Sequence, residues 1–210
     1  MMGRLAIARH QESAWNKLGK WTGSVNIGLS SEGFEESRAM GRLIGDLNIS
    51  QAFASAQIRS LETLLCMEDG ICLDVPVTRN AALNERDYGE YTGKNKWDME
   101  KLLGETEFLK LRREWDYPVP GGESLKMVYE RVVPYYTSHI VPALASGANV
   151  LIVAHGNSLR ALIKYIESVA DVDMVHTEMP FETVIVYDVD ETGKMKRKQV
   201  RSLEKIAHKQ

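Results

Sequence analysis

The chain has 210 residues, of which 44% are hydrophobic and 26% are charged. These fractions are close to those of soluble globular proteins and argue against a disordered or fibrous chain. The length favours a single domain that spans residues 1–210. The formal net charge of -3 argues against nucleic acid as a partner, because a phosphate backbone selects proteins with a broad basic face.

The first predicted strand is Arg4 to Arg9, whose apolar part runs only from Leu5 to Ala8. This run is far shorter than the apolar stretch of a signal peptide or a membrane span, so we expect a cytoplasmic protein with no membrane partner. A helix is predicted to start near Ser31. Its apolar face is formed by Phe34, Met40, Leu43, Ile44 and Leu47.

The second predicted strand is Gln51 to Ser55. A helix from Gln57 to Glu68 follows it, and Gly70 is a stop signal for that helix. Cys66 and Cys72 lack the spacing of a zinc site or of a disulfide framework. We therefore expect two reduced thiols.

The middle of the chain carries weaker signals. Residues 80–122 are predicted to form mostly loops and short helices. A long helical stretch then begins at Glu123 and contains Pro134 and Pro142. Because a proline has no N–H to donate within a helix, these two residues should kink or split the stretch.

The third part of the chain returns to strands. Asn149 to Ala154 is an uninterrupted apolar run, which is typical of a central strand buried on both faces. A helix follows, with apolar residues at helical spacing up to Ile166, and two further strands cover Thr183 to Val189 and Met195 to Arg201. This alternation predicts an α/β protein, a three-layer α/β/α sandwich with a mostly parallel central sheet.

Ionisable residues follow two of the predicted strands. In open parallel sheets, ligands bind beyond the carboxyl ends of the strands, and His10 and His155 each lie directly after a strand. A neutral imidazole can attack phosphorus, and Arg9 and Arg59 can hold the phosphoryl oxygens while keeping the imidazole unprotonated. Glu85 can exchange the proton of the substrate alcohol. Together these residue types indicate phosphoryl transfer, with His10 as the nucleophile.

Each of these residues also has a simpler interpretation. A lone histidine after a strand is often a hydrogen-bonded structural residue, Arg59 can form a surface ion pair, and Glu85 can pair with Arg86. His10, His155 and Glu85 are also possible metal ligands. However, flanking arginines would repel a cation, and no His-Glu-x-x-His spacing is present, so we expect no metal.

The combined pattern resembles a known family. Arg9-His10-Gln11-Glu12-Ser13-Ala14-Trp15-Asn16 is similar to the Arg-His-Gly-Glu-Ser-x-Trp-Asn opening of the cofactor-dependent phosphoglycerate mutases, within the histidine phosphatase superfamily. The resemblance runs from Leu5 to about Tyr187, and Ala154 to Leu162 is its most specific block. Further blocks occur in the family's order at residues 21–23, 83–89, 93–96, 112–113 and 121–125.

The resemblance implies a phosphoglycerate mutase-like fold and a role for each site residue. It implies that His10 is phosphorylated, that Glu85 is the proton donor and acceptor, and that the catalytic group also contains Arg9, Arg59 and His155. It further implies a set of residues that bind the substrate, including its carboxylate and second phosphate. This set consists of Asn16, Thr22, Gly23, Tyr88, Lys96, Arg112, Arg113, Gly156 and Asn157.

The implied reaction is the interconversion of 2-phosphoglycerate and 3-phosphoglycerate. It would proceed through a phosphohistidine primed by 2,3-bisphosphoglycerate, without a metal, in a protein that could form a homodimer. Two alternatives stay open from the residues alone. One is a histidine phosphatase of broader phosphomonoester specificity, and the other is a catalytically impaired relative that only binds the ligand.

Three features depart from the family pattern. Gln11 replaces the glycine beside the nucleophile, residues 179–182 replace a Pro-Thr-Gly segment, and the link from Arg113 to Glu123 is short. A side chain at position 11 is strained only if the backbone there has a positive φ. We expect an ordinary, negative φ at Gln11 and an active enzyme.

Overall fold

A computed structural model describes residues 2–203 of the chain. Its strands are β1 (Arg4–Arg9), β2 (Gln51–Ser55), β3 (Val77–Asn80), β4 (Val150–Ala154), β5 (Thr183–Val189) and β6 (Met195–Ser202). Its α-helices are α1 (Ala14–Lys17), α2 (Ser31–Met40), α3 (Ile58–Asp69), α4 (Lys96–Leu103), α5 (Glu105–Arg113), α6 (Leu125–Tyr135), α7 (Val141–Ala145) and α8 (Gly156–Glu167). None of these helices combines the length and the apolar character that a bilayer span requires.

The strands form one mixed sheet in the order β3-β2-β4-β1-β5-β6. The pairs from β3 to β1 are parallel, whereas β5 is antiparallel to both of its neighbours. In the centre, Ile7 of β1 is aligned with Ile152 of β4 on one side and with Ile185 of β5 on the other. The prediction of a mostly parallel sheet is confirmed, with β5 as the reversed strand.

The two faces of β1 pack against different helices. Leu5 and Ile7 belong to a buried cluster with residues of α6 and α8, whereas Ala6 and Ala8 belong to a second cluster with residues of α2 and α3. All four side chains are fully buried. Because successive side chains of a strand point to opposite faces, the sheet is covered on both sides. The predicted three-layer α/β/α arrangement is confirmed.

Two boundaries differ from the sequence prediction. The helix that starts near Ser31 ends at Met40 and continues as a short 3-10 turn, although Ile44 and Leu47 are buried in the same cluster as Met40. The edge strand β3 was not predicted, since none of its four residues is buried and no apolar alternation marks it. Its backbone pairing with β2 defines it instead.

The predicted interruption of the long helix is confirmed and takes the form of a π-helical segment. α6 continues through Pro134, and residues Tyr136–Ile140 then form the wider turns before α7. Pro134 cannot donate a backbone hydrogen bond, and its own carbonyl accepts one from the Ser138 hydroxyl at 2.6 Å. The hydroxyl of Thr137 bonds the carbonyl of Val133 at 3.0 Å.

A third, smaller cluster joins the segment before α2 to the region of α4 and α5. Trp21 stacks on Tyr88 with ring centroids 5.4 Å apart, and it also contacts Phe108 of α5. Met99 of α4 and Leu111 of α5 complete the same buried cluster. Lys96 in the first turn of α4 and Arg112 in the last turn of α5 both lie close to Arg9, at the carboxyl end of β1.

Candidate active site

His10 lies at the end of β1 and is only 3% exposed. Its Nδ1 is 2.7 Å from the carbonyl oxygen of Gln11. A carbonyl can only accept a hydrogen bond, so Nδ1 carries the proton and Nε2 keeps its lone pair. Burial, followed by the charges of Arg59 and Arg9, lowers the pKa of His10 well below 6.5. The side chain is therefore a neutral imidazole at pH 7 with Nε2 available as a nucleophile.

His155 is a second buried, neutral imidazole beside the first. The two ring centroids are 4.9 Å apart, and burial together with the charge of Arg59 lowers the pKa of His155 well below 6.5. Its Nε2 is 2.7 Å from the hydroxyl of Ser55, and that oxygen accepts a hydrogen bond from the N–H of Gln57. When the Ser55 hydroxyl donates to Nε2, the ring proton of His155 is on Nδ1, which can then act as a donor.

Two arginines, Arg59 and Arg9, lie close to both histidines. Arg59 is fully buried, and its guanidinium donates to the carbonyls of Val25 at 3.0 Å and Gly23 at 3.1 Å. Burial lowers its pKa to about 10, a change that Glu85 opposes, so it stays charged at pH 7. Burial also lowers the pKa of Arg9, whose Nη1 lies 3.4 Å from the carbonyl of Met179. Both cations therefore lie close enough to His10, the candidate nucleophile, to lower its pKa.

Glu85 is held by backbone groups at the N-terminus of α8. Its Oε1 accepts hydrogen bonds from the N–H of Arg86 at 2.8 Å and of Asn157 at 3.1 Å. A Cβ on Gly156 would lie 3.5 Å from the Cζ of Arg9 and 3.7 Å from Oε2 of Glu85, which are ordinary contact distances, so Gly156 is adjacent to both groups. The carboxylate therefore lies close to Arg9, and its charge opposes the lowering of the Arg9 pKa by burial.

A cavity of about 130 Å³ brings Arg9 and Glu85 together with several predicted substrate-binding residues, whereas His10, His155 and Arg59 are not among its lining residues. The predicted residues that line it are Arg9, Glu85, Tyr88, Arg112, Arg113, Gly156 and Asn157. A larger neighbouring groove of about 760 Å³ shares Arg113 with this cavity but contains neither Arg9 nor Glu85. The chemistry of the side chains therefore places the site at the smaller cavity.

Arg112 lines the cavity, and Lys96 lies close enough to Arg9 and Arg112 for their charges to act on it. Burial, followed by the charges of Arg9 and Arg112, lowers the pKa of Lys96 to about 8. Arg112 and Arg113 in turn lower the pKa of Arg9, so these cations lie close enough to repel one another. Arg113 differs from Arg112 because its Nη2 forms an ion pair with Glu178 at 2.5 Å.

The other predicted binding residues lie further from the cavity. Asn16 uses its Oδ1 to accept hydrogen bonds from the backbone and hydroxyl of Ser13 at the start of α1, and it does not line the cavity. Thr22 is 6% exposed. Gly23 adopts a φ of +51° and reaches the site through its carbonyl, which accepts from Arg59 and Gln57.

Two residues without a predicted role hold the site together. The Oε1 of Gln57 accepts from Arg59 at 3.1 Å and from the N–H of Glu85 at 2.9 Å. Arg160 donates to Oδ1 of Asn157 at 3.0 Å and to the carbonyl of Arg112 at 3.2 Å. Arg160 lies within the block from Ala154 to Leu162, where a charged residue among apolar helix positions indicates a role beyond packing. Gln57 carries no comparable signal in its sequence surroundings.

A comparison with protein families agrees with this geometry. Residues 5–200 match the model of the histidine phosphatase superfamily, branch 1. The chain belongs to this superfamily. The resemblance drawn from the motifs is therefore confirmed over almost the whole chain.

Among the histidine phosphatases, similar relatives carry a more specific name. The chain is 39% identical to the 2,3-bisphosphoglycerate-dependent phosphoglycerate mutase of Parvibaculum lavamentivorans, over 99% of this chain and 100% of the relative. It is 37% identical to 2,3-bisphosphoglycerate-dependent phosphoglycerate mutase 2 of Lactiplantibacillus plantarum, over 94% of this chain and 98% of the relative.

Solved structures of the superfamily show the same fold. YhfR of Bacillus stearothermophilus matches with a TM-score of 0.79 at 23% identity, over 92% of this chain and 94% of that protein. A mycobacterial glucosyl-3-phosphoglycerate phosphatase matches with a TM-score of 0.78 at 19% identity, over 96% of this chain and 98% of that protein. At these identities the likeness supports the histidine phosphatase fold alone.

Proposed function

We propose that this histidine phosphatase superfamily member is a phosphoglycerate mutase, which interconverts 2-phosphoglycerate and 3-phosphoglycerate through a phosphorylated His10. The names of the similar relatives support this assignment. In the proposed reaction, 2,3-bisphosphoglycerate supplies the phosphoryl group that loads His10.

The observation that carries the proposal concerns buried polar side-chain atoms that find no hydrogen-bond partner within residues 2–203. Of eight such atoms, Oε1 of Glu68, Nε and Nη1 of Arg86 and Oγ1 of Thr92 belong to residues without an assigned role in the site. The other four, Nε of Arg9, Nε of Arg59, Oγ1 of Thr22 and Nδ1 of His155, belong to residues that the motifs assigned to the site, and all four can donate a hydrogen bond. Buried donors without partners are costly, and a phosphoryl group with several acceptor oxygens matches them.

The transfer step follows from this arrangement. The lone pair of His10 Nε2 forms the N–P bond as the bond between phosphorus and the departing oxygen breaks. Arg9, Arg59 and the Nδ1–H of His155 hold the phosphoryl oxygens, where negative charge must be stabilised. Glu85 delivers a proton to the departing oxygen, and it takes the proton back when the other hydroxyl of the substrate attacks the phosphohistidine.

A second group of cations, Lys96 and Arg112, favours a mutase over a phosphatase of broader specificity. A mutase must retain a doubly phosphorylated intermediate while that molecule reorients, so the cavity needs positive charge beyond the transferring group. Lys96 and Arg112 supply it, since the charge of Arg112 lowers the pKa of Lys96 and also that of Arg9. Arg113, Tyr88 and Asn157 line the same cavity.

The deciding experiment is turnover of 3-phosphoglycerate with and without 2,3-bisphosphoglycerate. We expect formation of 2-phosphoglycerate that depends on the bisphosphate, with His10→Ala as the inactive control. We also expect turnover to survive a metal chelator. Release of inorganic phosphate without isomer formation would instead support a phosphatase. Binding of the bisphosphate without labelling of His10 would support a ligand-binding relative.

A further inference from the structure

The turn before β5, residues 179–182, contacts the guanidinium of Arg9. The Cζ of Arg9 lies 3.8 Å from the ring centroid of Phe181, and its Nη1 lies 3.4 Å from the carbonyl of Met179. The same ring lies in an edge-to-face arrangement with His10, with centroids 6.1 Å apart. A cation over an aromatic face is attracted by the ring quadrupole, so Phe181 restricts where the guanidinium can lie.

Gln11 ties this turn to the end of β1. Its side chain is fully buried, its Nε2 donates to the carbonyl of Arg9 at 2.7 Å, and its Oε1 accepts from the N–H of Glu182 at 2.9 Å. Glu182 has a φ of +54°, a conformation that is unfavourable for a residue with a side chain. The hydrogen bond to Gln11 helps to hold Glu182, and with it Phe181, in this conformation.

The two main departures from the family pattern thus contact each other. Gln11 stands where the family has glycine, and residues 179–182 stand where the family has Pro-Thr-Gly. A glycine at position 11 would have no side chain to reach the turn.

We propose that Gln11 and Phe181 form one positioning unit that keeps the Arg9 guanidinium ready for the phosphoryl group. The unit rests on the proposed function, since it acts on the group that His10 transfers. A free arginine side chain loses conformational entropy when it binds an oxyanion, and a side chain that is already held loses less. The unit therefore raises the affinity of the site without touching the ligand itself.

The test is equilibrium binding of orthovanadate, an analogue of the transferring phosphoryl group, to Phe181→Leu, Phe181→Tyr and Gln11→Met. We expect about 2- to 12-fold weaker binding for Phe181→Leu and Gln11→Met, which corresponds to ordering one long side chain on binding. Phe181→Tyr keeps the aromatic face and should bind like the parent. The double variant Gln11→Met/Phe181→Leu should bind no more weakly than the weaker single variant.

Phe53→Leu is the matched control, since Phe53 is 3% exposed in the core and packs against Tyr135. It should lower the free energy of unfolding and leave vanadate affinity unchanged. Single variants that bind vanadate like the parent, or effects that add in the double variant, would overturn the positioning unit alone. A parent protein that binds no vanadate and acquires no label at His10 would overturn the proposed function as well.

Discussion

At the scale of single residues, the proposed nucleophile is kept neutral by the same cations that are proposed to bind the phosphoryl group. His10 is buried, and the charges of Arg59 and Arg9 oppose its protonation. The Gln11 carbonyl binds the one ring proton that remains, so the reactive lone pair is on Nε2. Because the same arginines offer donors to the phosphoryl oxygens, activation of the nucleophile and binding of the substrate use the same charges.

The first prediction compares His10 with Glu85. His10→Ala should abolish transfer, because no other described residue of the site offers a nucleophilic lone pair in the same position. Glu85→Gln should lower kcat by about 10²- to 10⁴-fold, which is the usual contribution of a positioned acid or base. Radiolabelled 2,3-bisphosphoglycerate should label Glu85→Gln slowly and His10→Ala not at all. Near-normal turnover in either variant would contradict the assignment.

The second prediction concerns the pH dependence that Lys96 imposes. Its pKa of about 8 in the protein means that the amine loses its charge as the pH rises through that value. Since kcat/KM reports the ionisation of the free enzyme, kcat/KM for 3-phosphoglycerate should decline above about pH 8. Lys96→Arg keeps its charge and should remove this decline when measured up to about pH 9.5. An unchanged decline in Lys96→Arg would assign it to another group.

At the scale of elements, the last turn of α5 and the first turn of α8 form one wall of the cavity. Arg112 and Arg113 end α5, where positive side chains also complement the helix dipole. Arg160 of α8 donates to both of their backbone carbonyls, at 3.2 and 2.8 Å. The positions of Arg112 and Arg113 therefore depend on the hydrogen bonds between α8 and α5 as well as on α5 itself.

The third prediction separates the two arginines of α5. Arg112→Ala should reduce kcat/KM for 3-phosphoglycerate by about 10- to 150-fold, the equivalent of a charge-assisted hydrogen bond of about 1.5 to 3 kcal/mol. Arg113→Ala should have a smaller effect, because Glu178 already pairs with Arg113. Hydrolysis of a small aryl phosphate, which lacks the second anionic group, should change less in both variants.

Lys110→Ala is the matched control for this comparison. Lys110 lies on the same helix, but its amine pairs with Glu107 on the exposed side. Its removal should leave kcat/KM for both substrates unchanged. Equal losses on 3-phosphoglycerate and on the aryl phosphate in Arg112→Ala would place Arg112 in the transfer site or in the fold.

At the scale of the whole molecule, burial of two neutral histidines links the site to stability. The pKa values of His10 and His155 are lowered in the folded protein, whereas in the unfolded chain they return to about 6.5. Below that pH the unfolded chain binds more protons than the folded protein, so acid favours unfolding. Glu68 has the opposite effect on stability over part of the same pH range. Burial raises its pKa to about 7, so the folded protein binds this proton at a higher pH than the unfolded chain does.

The fourth prediction isolates the contribution of one histidine. His10→Asn keeps a donor for the Gln11 carbonyl but cannot be protonated in this range. Relative to the parent, the free energy of unfolding of this variant should fall less between about pH 6.5 and 5, by up to about 1.4 kcal/mol per pH unit. Urea unfolding at several pH values measures this difference. His176→Gln, at an exposed position, is the control and should show the slope of the parent, and an unchanged slope in His10→Asn would contradict the prediction.

The amino-acid sequence by itself determined the parts of the protein that depend on local pattern. The apolar runs that form β1 and β4 mark the two central strands, and His10 and His155 follow them directly. The short motifs around these histidines were sufficient to indicate phosphoryl transfer. Local pattern works here because strand burial and the residues at a strand end depend on neighbours within a few positions.

Only the tertiary structure decided which distant side chains support that chemistry. Gln11 bonds the N–H of Glu182, which is 171 positions away in the chain, and Gln57 joins Arg59 to Glu85. The edge strand β3 likewise exists through its pairing with β2 and not through an apolar pattern. Hydrogen bonds of this kind depend on which backbone groups the packing leaves within about 3 Å, and no periodicity in the sequence encodes that distance.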